Sequence, residues 1–171
     1  MIDVEIKARC ENQKFIRDIL KSKGARFAGI DNQTDIYFKS NTGRLKLRKG
    51  NIEQSLVYYE RENIKGIKPS EFILYKTQDV PALEKILRKS LSVLIEVHKT
   101  REMYFIENIK FNIDRVQKLG NFIEIEAMTE KEEEINQLKK IVFDYMKLFK
   151  ITDNDLQSLS YSDLLLKEKN L

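Results

Sequence analysis

The chain has 171 residues, enough for one domain with its own core. Apolar residues make up 42% and charged residues 34%, which excludes disorder, and 31 bases against 27 acids give a net charge of +4, an excess too small to argue for a nucleic-acid partner, which is not expected. A lone cysteine, Cys10, excludes a disulfide framework and fits a reducing, cytoplasmic setting; with a lone histidine, His98, it leaves no zinc ligand set, and no apolar run approaches the ~20 residues of a membrane span.

Residues 1–9 alternate as a strand, with Asp3, Glu5, Lys7 and Arg9 on one face and Ile2, Val4, Ile6 and Ala8 on the other. The acids so early do not read as a signal peptide. ENQKFIRDILKSKG (11–24) reads as a helix, with Asn12 as cap, a stripe of Phe15, Ile16, Ile19 and Leu20, and Gly24 past its end. TDIYFK (34–39) is a strand and SNTG a turn. GRLKLRKG (43–50) alternates Arg44, Lys46 and Arg48 against Leu45 and Leu47, and Gly50-Asn51 predicts a hairpin into SLVYYER (55–61). SEFILYK (70–76) follows a loop. DVPALEKILRKSL (79–91) reads as a helix capped by Asp79 with Pro81 in its first turn.

LIEVHKTREMYF (94–105) is a further strand, and IKFNIDRV (109–116) with FIEIEAM (122–128) forms a hairpin around QKLGN. TEKEEEINQLKKIVFDYMKLF (129–149) reads as a helix with a Thr129–Glu132 capping box, and the tail 152–169 as a turn plus a short helix. Residues 1–171 contain no linker-like stretch or repeat and read as a single domain. The expected architecture is α+β, with strands in antiparallel hairpins and three or more helices.

Several of these strands carry like charges two residues apart. The bases are Lys7 and Arg9, then Arg44, Lys46 and Arg48, then Arg61, and then Lys99 and Arg101; the acids are Asp3, Glu5, Asp114, Glu124 and Glu126. Like charges on one strand face repel unless something compensates them. A multiply charged anion would neutralise the bases, and a divalent cation held by carboxylates would neutralise the acids. A triphosphate with Mg²⁺ or Mn²⁺ does both. The plain alternative is a set of solvent-facing strands, but amphipathic helices need an apolar sheet face to cover, which turns the charged face inward.

DVEIKAR, DIYF, GRLKLR, KTREMYF, FNIDRVQKLGNFIEIEA and SYSDLL, in this order and spacing, resemble the CYTH superfamily, the triphosphate tunnel metalloenzymes, and within it the class IV adenylyl cyclase (CyaB-like) branch. The resemblance covers nearly the whole chain. It implies an antiparallel barrel of about eight strands with a charged interior and helices packed outside. It also implies that Asp3, Glu5, Asp114 and Glu124, assisted by Glu126, hold Mg²⁺ or Mn²⁺, and that Lys7, Arg48, Lys99 and Arg101 grip the triphosphate. The charged faces add Arg9, Arg44, Lys46 and Arg61 to the phosphate set, with Lys68 as an alternative to Arg61. The first acid is Asp3 where the family pattern has Glu.

Glu5, Lys7, Asp114 and Glu124 are the expected catalytic residues. The implied reaction is ATP to cyclic AMP and pyrophosphate. Hydrolysis of inorganic triphosphate, thiamine triphosphate or a nucleotide is the alternative, and a non-catalytic binder of polyphosphate or RNA ends a third reading. A monomer or homodimer is expected. Tyr37, Tyr58 and Tyr59 are candidates for stacking on a base. His98, Cys10 and the acidic run 129–134 carry structural or solvated readings, and SYSDLL reads as a capped helix or as closure of one tunnel mouth.

Overall fold

The computed structural model describes residues 2–60 and 63–169. Its strands are β1 (Ile2–Arg9), β2 (Arg26–Phe38), β3 (Arg44–Lys49), β4 (Gln54–Glu60), β5 (Lys68–Lys76), β6 (Val93–Ile106), β7 (Ile109–Val116) and β8 (Gly120–Thr129). Its helices are α1 (Gln13–Ser22), α2 (Val80–Ser90), α3 (Ile135–Leu148) and α4 (Tyr161–Lys169). The strands close into a barrel in the order β1-β5-β4-β3-β2-β6-β7-β8, every neighbouring pair antiparallel. The fold is thus the expected eight-stranded barrel with helices outside. Among the described residues, no helix is long and apolar enough to cross a membrane.

Strand alternation decides what faces out. Val4, Ile6 and Ala8 of β1 join Phe111, Ile113, Ile123 and Ile125 in a buried layer beneath Ile16 and Leu20 of α1 and Leu138, Val142 and Met146 of α3. Burying each such side chain contributes about 1.5–3 kcal/mol. Val80 and Leu87 of α2 cover Ile36, Phe38 and Leu47. The charged residues between these positions are left to face the barrel interior.

Two expected boundaries moved. β2 begins at Arg26, eight residues before the predicted strand. RFAGIDNQ lacks strand-forming composition, but pairing with β6 from Arg26↔Phe105 onward holds it, through a register shift at Gly29, whose φ of +128° suits glycine. The predicted helix 129–149 starts only at Ile135. Thr129 stays in β8 opposite Ile2, its hydroxyl accepts from Lys131 N and donates to Glu134 Oε2, and Glu132–Glu134 is a 3₁₀ turn in place of the capping box.

Candidate active site

The barrel encloses a cavity of about 860 Å³. One end is filled by α4, which lays Tyr161 and Leu165 against Tyr37, Val97, Val116 and Phe122. SYSDLL therefore closes a barrel end. Arg44 holds α4 in place through Asp163 at 2.9 Å.

β1 and β8 form an acidic wall. Asp3, Glu5 and Glu126 bring carboxylate oxygens within 4.8 Å of one another. Asp3 Oδ1 is buried without a hydrogen-bond partner. Burial first, then the charges of Glu126, Glu5 and Glu124, push the Asp3 carboxyl well above its ordinary range, and burial likewise raises Glu126. Lys110 opposes this, with Nζ 3.9 Å from Glu126, but is closer to Glu53 at 2.5 Å. Clustered oxygens with an orphaned acceptor fit a hard divalent cation such as Mg²⁺ or Mn²⁺.

Separated from β1 by β5 and β4, and from β8 by β7, the strands β3, β2 and β6 form a basic wall. Its hub is Asp35, a carboxylate reached by Lys46 at 3.0 Å, Arg48 at 2.9 Å and Lys99 at 3.3 Å. Burial alone would raise Asp35; Arg48, Lys46 and Lys99 hold it well below the carboxylate range. Burial, and next Arg101, push Lys99 down to about 7. The wall therefore holds more positive charge than Asp35 offsets, as a polyanion site requires. Glu53 bridges Arg48 at 2.8 Å and Lys110. Asp31 fixes the turn that carries Glu53 by accepting from Ile52 N and Glu53 N, both at 2.9 Å. Gly50 is required there, because a Cβ would come within 2.5 Å of the Asp31 carboxylate.

Arg101 links the two walls. It forms a two-pronged pair with Asp114 at 2.7 and 2.6 Å and reaches Glu124 at 2.5 Å. Glu124 also pairs with Lys7 at 2.8 Å, and although burial opposes it, Lys7 and Arg101 keep its carboxyl well below the usual range. The Tyr161 hydroxyl donates to Asp114 Oδ2 at 2.8 Å, and the ring lies under Lys7 Nζ at 4.1 Å and Lys99 Nζ at 5.3 Å.

Of the sequence-predicted residues, Asp3, Glu5, Lys7, Lys46, Arg48, Lys99, Arg101, Glu124 and Glu126 line the cavity. The other charged candidates lie elsewhere. Asp114 is fully buried behind Arg101 and Tyr161, apart from the acidic trio. Arg9 is exposed at the strand end, donating to Leu119 O at 3.0 Å, because β1 leaves the barrel there. Arg44 serves α4 rather than the cavity. Lys68 is buried and donates to Ile64 O and Ser158 O, and Arg61 lies outside the described residues. Tyr59 lines the cavity, Tyr37 lies at its filled end, and Tyr58 points outward to Glu60. Asp35, Glu53, Lys110 and Tyr161 were not anticipated. The one signal for Asp35 was an acid directly before the apolar run of DIYF.

A family model described as CYTH domain matches residues 1–161. A Methanocaldococcus jannaschii protein named "Putative adenylate cyclase" is 29% identical over 178 residues, covering 96% of this chain and 98% of the relative. Among solved structures, a protein of Pyrococcus horikoshii superposes with a TM-score of 0.78 at 27% identity, over 95% of this chain and 98% of its own. A Hippeastrum protein, described as a "Putative adenylyl cyclase" that "reveals a dominant" triphosphatase activity, shares the fold with a TM-score of 0.63 at 15% identity, over 99% and 95% of the two chains.

Proposed function

Because the chain belongs to the CYTH domain family of triphosphate-acting tunnel enzymes, we propose that it converts ATP to cyclic AMP and pyrophosphate. The observation that carries the triphosphate part of this reading is the facing of the Asp3–Glu5–Glu126 trio and the Asp35-centred bases across one cavity. The adenylate cyclase name of the Methanocaldococcus jannaschii relative supports it.

Asp3, Glu5 and Glu126 would hold Mg²⁺ or Mn²⁺, which would supply positive charge to make a nearby hydroxyl more acidic and to offset charge on the α-phosphate. Lys46, Arg48, Lys99 and Arg101 take the β- and γ-phosphates, with Lys7 at the filled end. The ribose 3′ oxygen gives its proton to solvent water and bonds to the α-phosphorus as the bond to the α,β-bridging oxygen breaks, releasing pyrophosphate. The leaving pyrophosphate gains charge beside buried cations fixed before the reaction, where each is worth more than in water. Glu124 and Asp114 keep Lys7 and Arg101 in place.

Hydrolysis of a triphosphate is the second reading, favoured by the activity ascribed to the Hippeastrum protein; the same walls would hold the same tail. The deciding experiment offers ATP, inorganic triphosphate and thiamine triphosphate with Mg²⁺ or Mn²⁺. Cyclic AMP and pyrophosphate in equal amounts are expected from ATP. Orthophosphate from triphosphate without cyclic AMP would replace the cyclase reading by hydrolysis. Tight binding with no turnover of any substrate would leave a non-catalytic binder.

A further inference from the structure

Between the acidic and basic walls, β5 and β4 build a side of the cavity from uncharged rings and aliphatic groups. Val57, Tyr59, Phe72 and Leu74 all line it. The ladder sets Tyr59 opposite Phe72 and Val57 opposite Leu74, so the four form one panel on one sheet face. The panel abuts both walls: Val57 lies opposite Lys46 on β3, and Ser70, next inward on β5, lies opposite Asp3 on β1. Phe72 is half-buried and Leu74 is 45% exposed, so the panel presents apolar surface to the space that the charged side chains share. Gln54 and Gln78 line the same cavity, each with an amide that both donates and accepts.

We propose that this panel holds a purine base of the triphosphate substrate, with Phe72 and Leu74 as the residues that favour a nucleoside triphosphate over inorganic triphosphate. The proposal rests on the reading of the cavity as a triphosphate site. The phosphate tail is drawn to the bases and leaves an organic group to lie on the uncharged panel, whose flanking charges are Lys46 on β3 and Lys76 farther along β5. A neutral flat ring suits that surface, and the glutamines suit its polar edge. The cationic thiazolium of thiamine triphosphate would instead meet the like charges of Lys46 and Lys76 that flank the panel. A cavity of about 860 Å³ has room for a base beside the tail.

The test is calorimetric binding of α,β-methylene-ATP, tripolyphosphate and thiamine triphosphate, each with Mg²⁺, which needs no turnover. Phe72→Ala is expected to weaken α,β-methylene-ATP about tenfold, and tripolyphosphate and thiamine triphosphate less than about twofold. Leu74→Ala, at an exposed site that does not threaten folding, is expected to weaken the nucleotide alone by a smaller factor. Ile73→Ala, on the outward face of the same strand and 69% exposed, is the control and should change nothing. Equal weakening of all three ligands by Phe72→Ala and Leu74→Ala, or of none, overturns the proposal. Failure of the unaltered protein to bind any of them overturns the reading beneath it.

Discussion

The acidic and basic walls share one cavity but are balanced differently. The basic wall carries its own counter-charge in Asp35, backed by Glu53. Asp3 and Glu126 of the acidic trio have less, since Asp3 Oδ1 is without a hydrogen-bond partner and Lys110 lies closer to Glu53 than to Glu126. The basic wall can therefore stand without ligand, whereas Asp3 and Glu126 are held together against their own repulsion. Removing a carboxylate should accordingly have opposite effects on the two walls.

The largest effect is expected at Arg101, which is buried and compensates both Asp114 and Glu124. Arg101→Met leaves the buried Asp114 without a cation and Glu124 with Lys7 alone, which costs about 3–5 kcal/mol. That lowers the thermal midpoint by on the order of 10 °C, readable by scanning calorimetry, together with loss of turnover. Next comes Asp35→Asn. It leaves Lys46, Arg48 and Lys99 facing one another and should cost about 2 kcal/mol. Tripolyphosphate should then raise the midpoint of Asp35→Asn by more than that of the unaltered protein. An equal or smaller rise would show that Asp35 is not the counter-charge a phosphate replaces.

Asp3→Asn should go the other way. An acid whose folded pKa is raised weakens the fold as pH climbs from the unfolded carboxylate value through the raised one. The substitution should therefore have little effect near pH 4 and stabilise the metal-free protein by about 1 kcal/mol at pH 7.5. Urea melts at the two pH values check the sign. The smallest effect concerns Lys99. Its folded pKa of about 7 lies below the ordinary 10.5, so stability rises with pH between those values. A bound polyanion restores the charge, and tripolyphosphate binding at pH 8 should take up a fraction of a proton, measured by calorimetry in buffers of different ionisation enthalpy. No uptake would contradict it.

Much of this was legible because a strand's period of two separates faces without knowledge of the fold. Asp3 and Glu5, Lys46 and Arg48, and Lys99 and Arg101 could be set on charged faces from spacing alone, and all line the cavity. Alternation gives a face but not a depth. Arg9 and Arg44 share their faces with cavity residues yet sit at strand ends, where β1 leaves the barrel and β3 meets α4. Asp35 was not legible because its role depends on the register of β2 against β3 and β6, which brings in bases 11, 13 and 64 residues away along the chain. Glu53 and Lys110 meet only through barrel closure, 57 residues apart. The early part of β2 was hidden for the same reason, since its partner strand rather than its composition makes it a strand. Cys10 and His98 kept their plain readings: burial raises the Cys10 thiol to about 11, away from reactivity, and His98 is exposed beside Thr34.

The claim that the two walls hold one triphosphate and one cation together is tested most directly by titrating Mn²⁺, followed by electron paramagnetic resonance, with and without tripolyphosphate. The unaltered protein should bind Mn²⁺ more tightly when tripolyphosphate is present, and Asp3→Asn and Glu126→Gln should lose most of the binding in both conditions. Mn²⁺ affinity that is indifferent to tripolyphosphate, or unchanged in both variants, would contradict the account.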